Sequence, residues 1–151
     1  MKIYLICPVR KCGKREKKAI EKYVSGLEAA GDKVFWADRD VEQNDDTGIG
    51  IITAERQAIK EADEIHVWWK HKPNGASKSE GSVFDFGMAW MAMLLMPGKK
   101  IRIANPEMVK APAHKSYTTV LIVLDKCSKL SDMIITKIRE VRMRITKKIN
   151  P

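Results

Sequence analysis

Residues 79–89, Ser79-Glu80-Gly81-Ser82-Val83-Phe84-Asp85-Phe86-Gly87-Met88-Ala89, join a strand-like run to a helix-like run. Ahead of them, Glu64-Ile65-His66-Val67-Trp68-Trp69 has the length and the β-branched or aromatic content of a buried strand. Residues 70–78 are polar, with Pro73, Asn74 and Gly75 marking a loop. Strand, loop and helix in that order place the first-turn N–H groups of the helix at the mouth of a pocket, where they can hold an anion. Asp85 falls about one turn inside the helix, close enough to aim a carboxylate at the same mouth. Acidic residues are common in first turns because the helix dipole favours them. Here, however, Phe84, Phe86, Met88 and Trp90 surround Asp85 with apolar bulk, an expensive setting for a carboxylate that has no partner or task.

Outward from this stretch the chain alternates. Residues 2–7 read as a first strand and 8–13 as a basic, Gly-containing loop. A helix over 14–30 follows, with Ala19, Ile20, Tyr23, Val24 and Leu27 at helical spacing and Gly31-Asp32 as its stop. Residues 33–37 form a second strand. Residues 38–50 lack an apolar period and read as a loop long enough to act as a lid or substrate loop, with Asp45-Asp46 a solvated turn and not a metal site. Helical spacing resumes over 51–61, and the helix after Asp85 runs to Met96 before Pro97-Gly98 ends it. A fourth strand is expected at 100–104 and a fifth at 117–124. A basic closing helix is expected from about 128 to 149, with Leu130, Ile134, Ile138, Val141 and Ile145 on one face. This order predicts one three-layer α/β/α domain over residues 1–151, flavodoxin-like or Rossmann-like, with about five parallel strands. In such a sheet the site lies past the C-terminal ends of the strands, where strand order reverses, so the loops after strands one and three should flank it. The methionine-rich run 88–96 is expected to be a core helix covered on both sides. Of Trp68 and Trp69, at most one can face the pocket side of the sheet.

The totals set limits. A chain of 151 residues with 44% hydrophobic content can bury one sizeable core. No apolar run is long enough to span a bilayer, and the N-terminal run is too short for a signal peptide, so a soluble cytoplasmic protein without a membrane partner is expected. Cys7, Cys12 and Cys127 form neither an even framework nor a zinc spacing; reduced thiols are expected, with Cys12 a candidate reactive thiol if its basic loop lowers its pKa. Neither a metal nor a cofactor is expected, since the loop after strand one lacks the G-x-G-x-x-G pattern of a dinucleotide site. A net charge of +9 calls for an anionic partner. The basic residues cluster at Arg10, Lys11, Lys14, Arg15, Lys17 and Lys18 and again in the C-terminal tail.

Three separated pieces then resemble a known family. Ile3-Tyr4-Leu5 before a small polar loop, Ala62-Asp63 before an apolar strand, and Ser79-x-Gly81-x3-Asp85-x-Gly87-x-Ala89 are together similar to the nucleoside 2-deoxyribosyltransferase family. They look most like its nucleotide-hydrolysing members, the 2'-deoxynucleoside 5'-phosphate N-hydrolases and cytidylate N-glycosidases. The likeness covers residues 2–104 and fades beyond 110. It implies that Asp85 is the nucleophile at the anomeric carbon, that Glu55 handles the leaving base and that Tyr4 orients the nucleophile. The family's nucleophile is a glutamate and its second carboxylate usually an aspartate, so the two side-chain lengths are exchanged here. The resemblance also implies that Arg10, Gly13, Ser79, Gly81 and Ser82 bind substrate. Transferases acting on nucleosides tend to be acidic where this chain has Ser79, which points to a phosphorylated substrate. A homodimer or larger assembly is implied as well.

The chemistry accounts for the residue types. Breaking an N-glycosidic bond builds positive charge on the sugar, so one carboxylate captures or stabilises the anomeric carbon while another group protonates the base. Two other functions fit the same residues: a nucleotide-sensing module that kept the pocket and lost catalysis, and a nucleic-acid-binding protein using the basic tail.

Overall fold

The computed structural model describes residues 1–9, 12–72 and 74–149, with side chains through residue 140. The chain runs β1 (Lys2–Ile6), α1 (Lys14–Ala29), β2 (Lys33–Trp36), α2 (Ala37–Asp40), α3 (Ile49–Glu61), β3 (Glu64–Val67), α4 (Glu80–Leu95), β4 (Lys100–Ile103) and α5 (Tyr117–Ile149), with a 3-10 turn at Pro106–Met108. The four strands form one parallel sheet in the order β2-β1-β3-β4. Strand order reverses between β1 and β3, which is where the sequence predicts the site.

Alternation along β1 divides the core. Tyr4 and Ile6 join Ile65, Val67 and Ile101 on one face of the sheet, under Ile59 of α3 and Phe86 and Ala89 of α4. Ile3 and Leu5 join Val34, Trp36 and Trp68 on the other face, under Ile20 and Val24 of α1. A central parallel strand buried on both faces has no polar alternation, and KIYLI follows that rule. Trp68 and Trp69 also split between the faces. Both are buried, Trp69 against Phe86 and hydrogen-bonded through Nε1 to Thr118 Oγ1 at 2.7 Å, so neither provides a stacking platform.

The expected fifth strand does not form. Residues 117–124 are instead the first turns of α5, which lies along β4. The burial pattern explains the difference: Thr118, Leu121, Asp125 and Ser128 are buried at helical spacing, whereas a strand would bury alternate residues. Asp125 Oδ1 accepts from the Ile103 N–H at 3.1 Å and Ser128 Oγ from the Ile101 N–H at 3.2 Å. Two side chains on a helix thus satisfy the edge donors that a neighbouring strand would otherwise have taken. The β-branched content of TTVLIV gives way to this tertiary arrangement.

One further expectation is corrected. The helix over 88–96 is covered on one side only, because Phe84, Met91, Leu94 and Leu95 of α4 are exposed. The apolar face of the closing helix is likewise exposed at Leu130, Ile134 and Ile138.

Candidate active site

The site grows from the ends of β1 and β3 and the first turns of α3 and α4. Ser79 caps α4: its Oγ accepts from the Ser82 N–H at 3.2 Å and from the Ser82 hydroxyl at 3.0 Å. Ser77 fixes Ser79 in turn, accepting from its N–H at 3.1 Å and donating to its carbonyl at 3.0 Å. This cap leaves the N–H groups of Glu80 and Gly81 at the open end of the helix, without the carbonyls that a preceding turn would supply. Opposite, Asp45 organises the start of α3, accepting from Thr47 and from the Gly50 N–H at 2.6 Å. The Thr47 hydroxyl and these backbone donors hold its carboxyl down at about 2, so Asp45 builds a turn. Gly48, at φ 73°, supplies the left-handed residue this turn needs.

Between these two helix starts lies a cavity of about 570 Å³, in the size range of small-molecule sites. Glu55, one turn and a half into α3, and Asp85, in the second turn of α4, both line it, and both are buried. The rest of the lining includes Cys7 and Val9 after β1, Gln43 and Gly48 from the 41–48 connection, Ile51 and Ile52 of α3, and residues 78–82. Beneath the carboxylates, the Tyr4 hydroxyl donates to Asp85 Oδ2 at 3.3 Å.

These neighbours determine the charge state. Burial and then the charge of Glu55 push the Asp85 carboxyl up to about 7. Burial also raises Glu55, against the opposing influence of the neighbouring Asp85 and Tyr4. Two carboxyls facing one poorly solvated cavity oppose each other's ionisation, so the pair retains a proton toward neutral pH. Burial and both carboxylates keep the Tyr4 phenol protonated far above its ordinary range, which leaves it a donor. The arrangement therefore supplies an ionised carboxylate, a protonated one and a fixed hydroxyl facing one hollow.

Sequence-predicted residues fall into three groups. Tyr4, Glu55, Ser79, Gly81, Ser82 and Asp85 surround or underlie the cavity. Gly13 does not line it; it is the residue before α1, in ordinary extended conformation and with open space around it. Arg10 lies outside the described residues. Lys78, Gln43, Ile51 and Ile52 went unnoticed in the sequence, and Lys78 is the cation among the described lining residues. Its only sequence signal was its place just before the cap, in a stretch that read as a solvated loop. Cys12 also differs from expectation, since burial and Glu16 raise its thiol.

The sequence matches no protein-family model and no curated protein. Among solved structures, the chain is similar to the CMP N-glycosidase BcmB of Clostridium botulinum, with a TM-score of 0.52 and 20% identity over 82% of each chain. The likeness is one of fold. It shows a parallel sheet with flanking helices, with four strands in place of the expected five.

Proposed function

We propose that this protein cleaves the N-glycosidic bond of a nucleoside 5'-monophosphate, by hydrolysis or by transfer of the sugar. The observation that carries the reading is the meeting of Glu55 and Asp85 in one cavity, with Tyr4 donating to Asp85. The fold likeness to a CMP N-glycosidase supports it. Asp85 serves as the carboxylate that attacks or stabilises the anomeric carbon, and Glu55 delivers the proton to the departing base. The 5'-phosphate lies toward residues 78–82, against the Lys78 ammonium, the Ser79 and Ser82 hydroxyls and the N–H groups opening α4. Ile51 and Ile52 offer apolar surface for the base.

A second assignment exchanges the two roles. Asp85 keeps its proton to higher pH, and the exchanged side-chain lengths give the longer reach to Glu55. Leaving groups distinguish the two. A substrate whose base departs without protonation restores turnover to the variant lacking the acid, and leaves the variant lacking the nucleophile inactive.

The exposed apolar stripe Phe84, Met91, Leu94 and Leu95 on α4 supports a homodimer or larger assembly. The test of function is a panel of nucleoside monophosphates and nucleosides, read as free base by chromatography. Release from monophosphates in preference to nucleosides is expected. Tight binding in calorimetry with no free base from any member would instead identify a nucleotide-sensing module.

A further inference from the structure

The helix α5 has two faces with different tasks. Leu121, Leu124, Asp125 and Ser128 are buried along β4, and Asp132 continues that face by pairing with Lys100 at 2.5 Å and with Arg102. Turned away from the sheet, Val123, Cys127, Leu130, Ile134 and Ile138 follow one another at helical spacing, and all are exposed. From residue 133 through 139 no side chain of the helix is covered by the fold, and the helical backbone continues to Ile149. The 129–149 segment is about 30 Å long. By sequence, the apolar spacing continues through Val141 and Ile145. Residues 129–151 contain seven basic residues and two acidic ones; Asp132 is paired with Lys100 and Glu140 with Lys137, and Lys129 pairs with Asp125.

We propose that this outward face of α5 docks on an anionic lipid surface, with the helix lying in the interface. No described helix is long and apolar enough to cross a membrane, and the absence of a span leaves a surface-lying helix open. An exposed aliphatic stripe bordered by lysines and arginines matches such a surface in both respects: the aliphatic side chains enter the acyl boundary, and the long cations reach back to lipid phosphates. Nucleic acid matches the charge but offers nothing to the aliphatic stripe. A second copy offers the stripe an apolar partner, since Ile134, Ile138, Val141 and Ile145 are spaced 4-3-4 in the sequence. It also brings seven basic residues of its own against the same segment, with two acidic ones to offset them, whereas an anionic surface answers the stripe and the charge together.

The experiment is co-sedimentation of the full chain with vesicles of phosphatidylcholine containing about one-third phosphatidylglycerol, and with phosphatidylcholine alone. Binding to the anionic vesicles only is expected. Ile134→Gln combined with Ile138→Gln should lower that partition by about tenfold or more, because it removes apolar insertion while leaving the charge unchanged. Both positions are exposed, so the melting temperature and the release of free base should not move. The proposal is overturned if the full chain ignores anionic vesicles, or if the double substitution leaves their binding unchanged. It is also overturned if duplex DNA binds more tightly than the vesicles and insensitively to the substitution. A lipid-free dimer that the same substitution dissociates would assign the face to a second copy.

Discussion

Two acidic sites, one half-buried and one buried, sit on opposite faces of one sheet and have opposite surroundings. Glu64, on the face shared with α1, is hydrogen-bonded to His66 Nε2 at 3.2 Å and lies 3.4 Å from Arg102 Nε; Lys100 and Asp132 extend the network, and Tyr23 bonds the other His66 nitrogen at 2.8 Å. The His66 bond and the Arg102 charge hold the Glu64 carboxyl down at about 2. Asp85, on the other face, has no cation bonded to it among the described residues and is held up near 7 by burial and by Glu55. A carboxylate with partners on every side is serving the fold. One left in a hollow beside a second acid weakens the fold, and such a cost is expected where chemistry needs it.

The largest expected effects break this comparison by deleting one acid at a time. Glu64→Gln should destabilise the fold by roughly 1–3 kcal/mol, since Arg102 and His66 lose their shared partner in a poorly exposed site. Asp85→Asn should do the reverse above neutrality, stabilising by roughly 1–3 kcal/mol because the buried charge is removed. Denaturant melts at pH 8 give both signs.

The pH dependence sharpens the contrast. Asp85 binds its proton more tightly folded than unfolded, so its contribution is fully present below about 4 and is lost as pH rises toward about 7. Glu64 binds its proton less tightly folded, so its contribution is present above its unfolded pKa and is lost as pH falls toward about 2. Melting temperatures across pH should therefore lose their neutral-side decline in Asp85→Asn and their acid-side decline in Glu64→Gln.

Tyr4→Phe removes the one hydroxyl that favours the ionised form of both cavity carboxyls. Its pH–rate profile should move upward in pH, with kcat lower by about tenfold and KM little changed. The smallest effect is expected at Gly87, an exposed interior position of α4 where an added Cβ meets nothing. Gly87→Ala should stabilise by about 0.5–1 kcal/mol through helix propensity. A loss of assembly in the same variant would mean that the α4 stripe packs closely in an oligomer.

Most of the fold was legible because each strand and helix from β1 to β4 has its own period and its own stop, except the four-residue α2, which falls in a stretch without an apolar period. The stretch 117–124 was not, because its β-branched residues suit a strand and the decisive signal lay in the polar Thr118, Asp125 and Ser128. Those residues read as helical only once β4 is seen to need donors satisfied at its edge. Within the site, Asp85 and the open helix start after residues 70–78 could be read from strand-loop-helix order alone. Glu55 came only through resemblance, since nothing in residues 51–61 distinguishes it from a solvated glutamate. Lys78, Gln43 and Ile52 reach the cavity through loop and helix placement that periodicity does not encode.

The most direct measurement is release of free base from a nucleoside 5'-monophosphate by the wild-type protein, Asp85→Asn and Glu55→Gln, assayed side by side near pH 7 with the fold of each checked by circular dichroism. Release by the wild type and a loss of about a hundredfold or more in both folded variants is the predicted result. Equal release by all three would contradict the account.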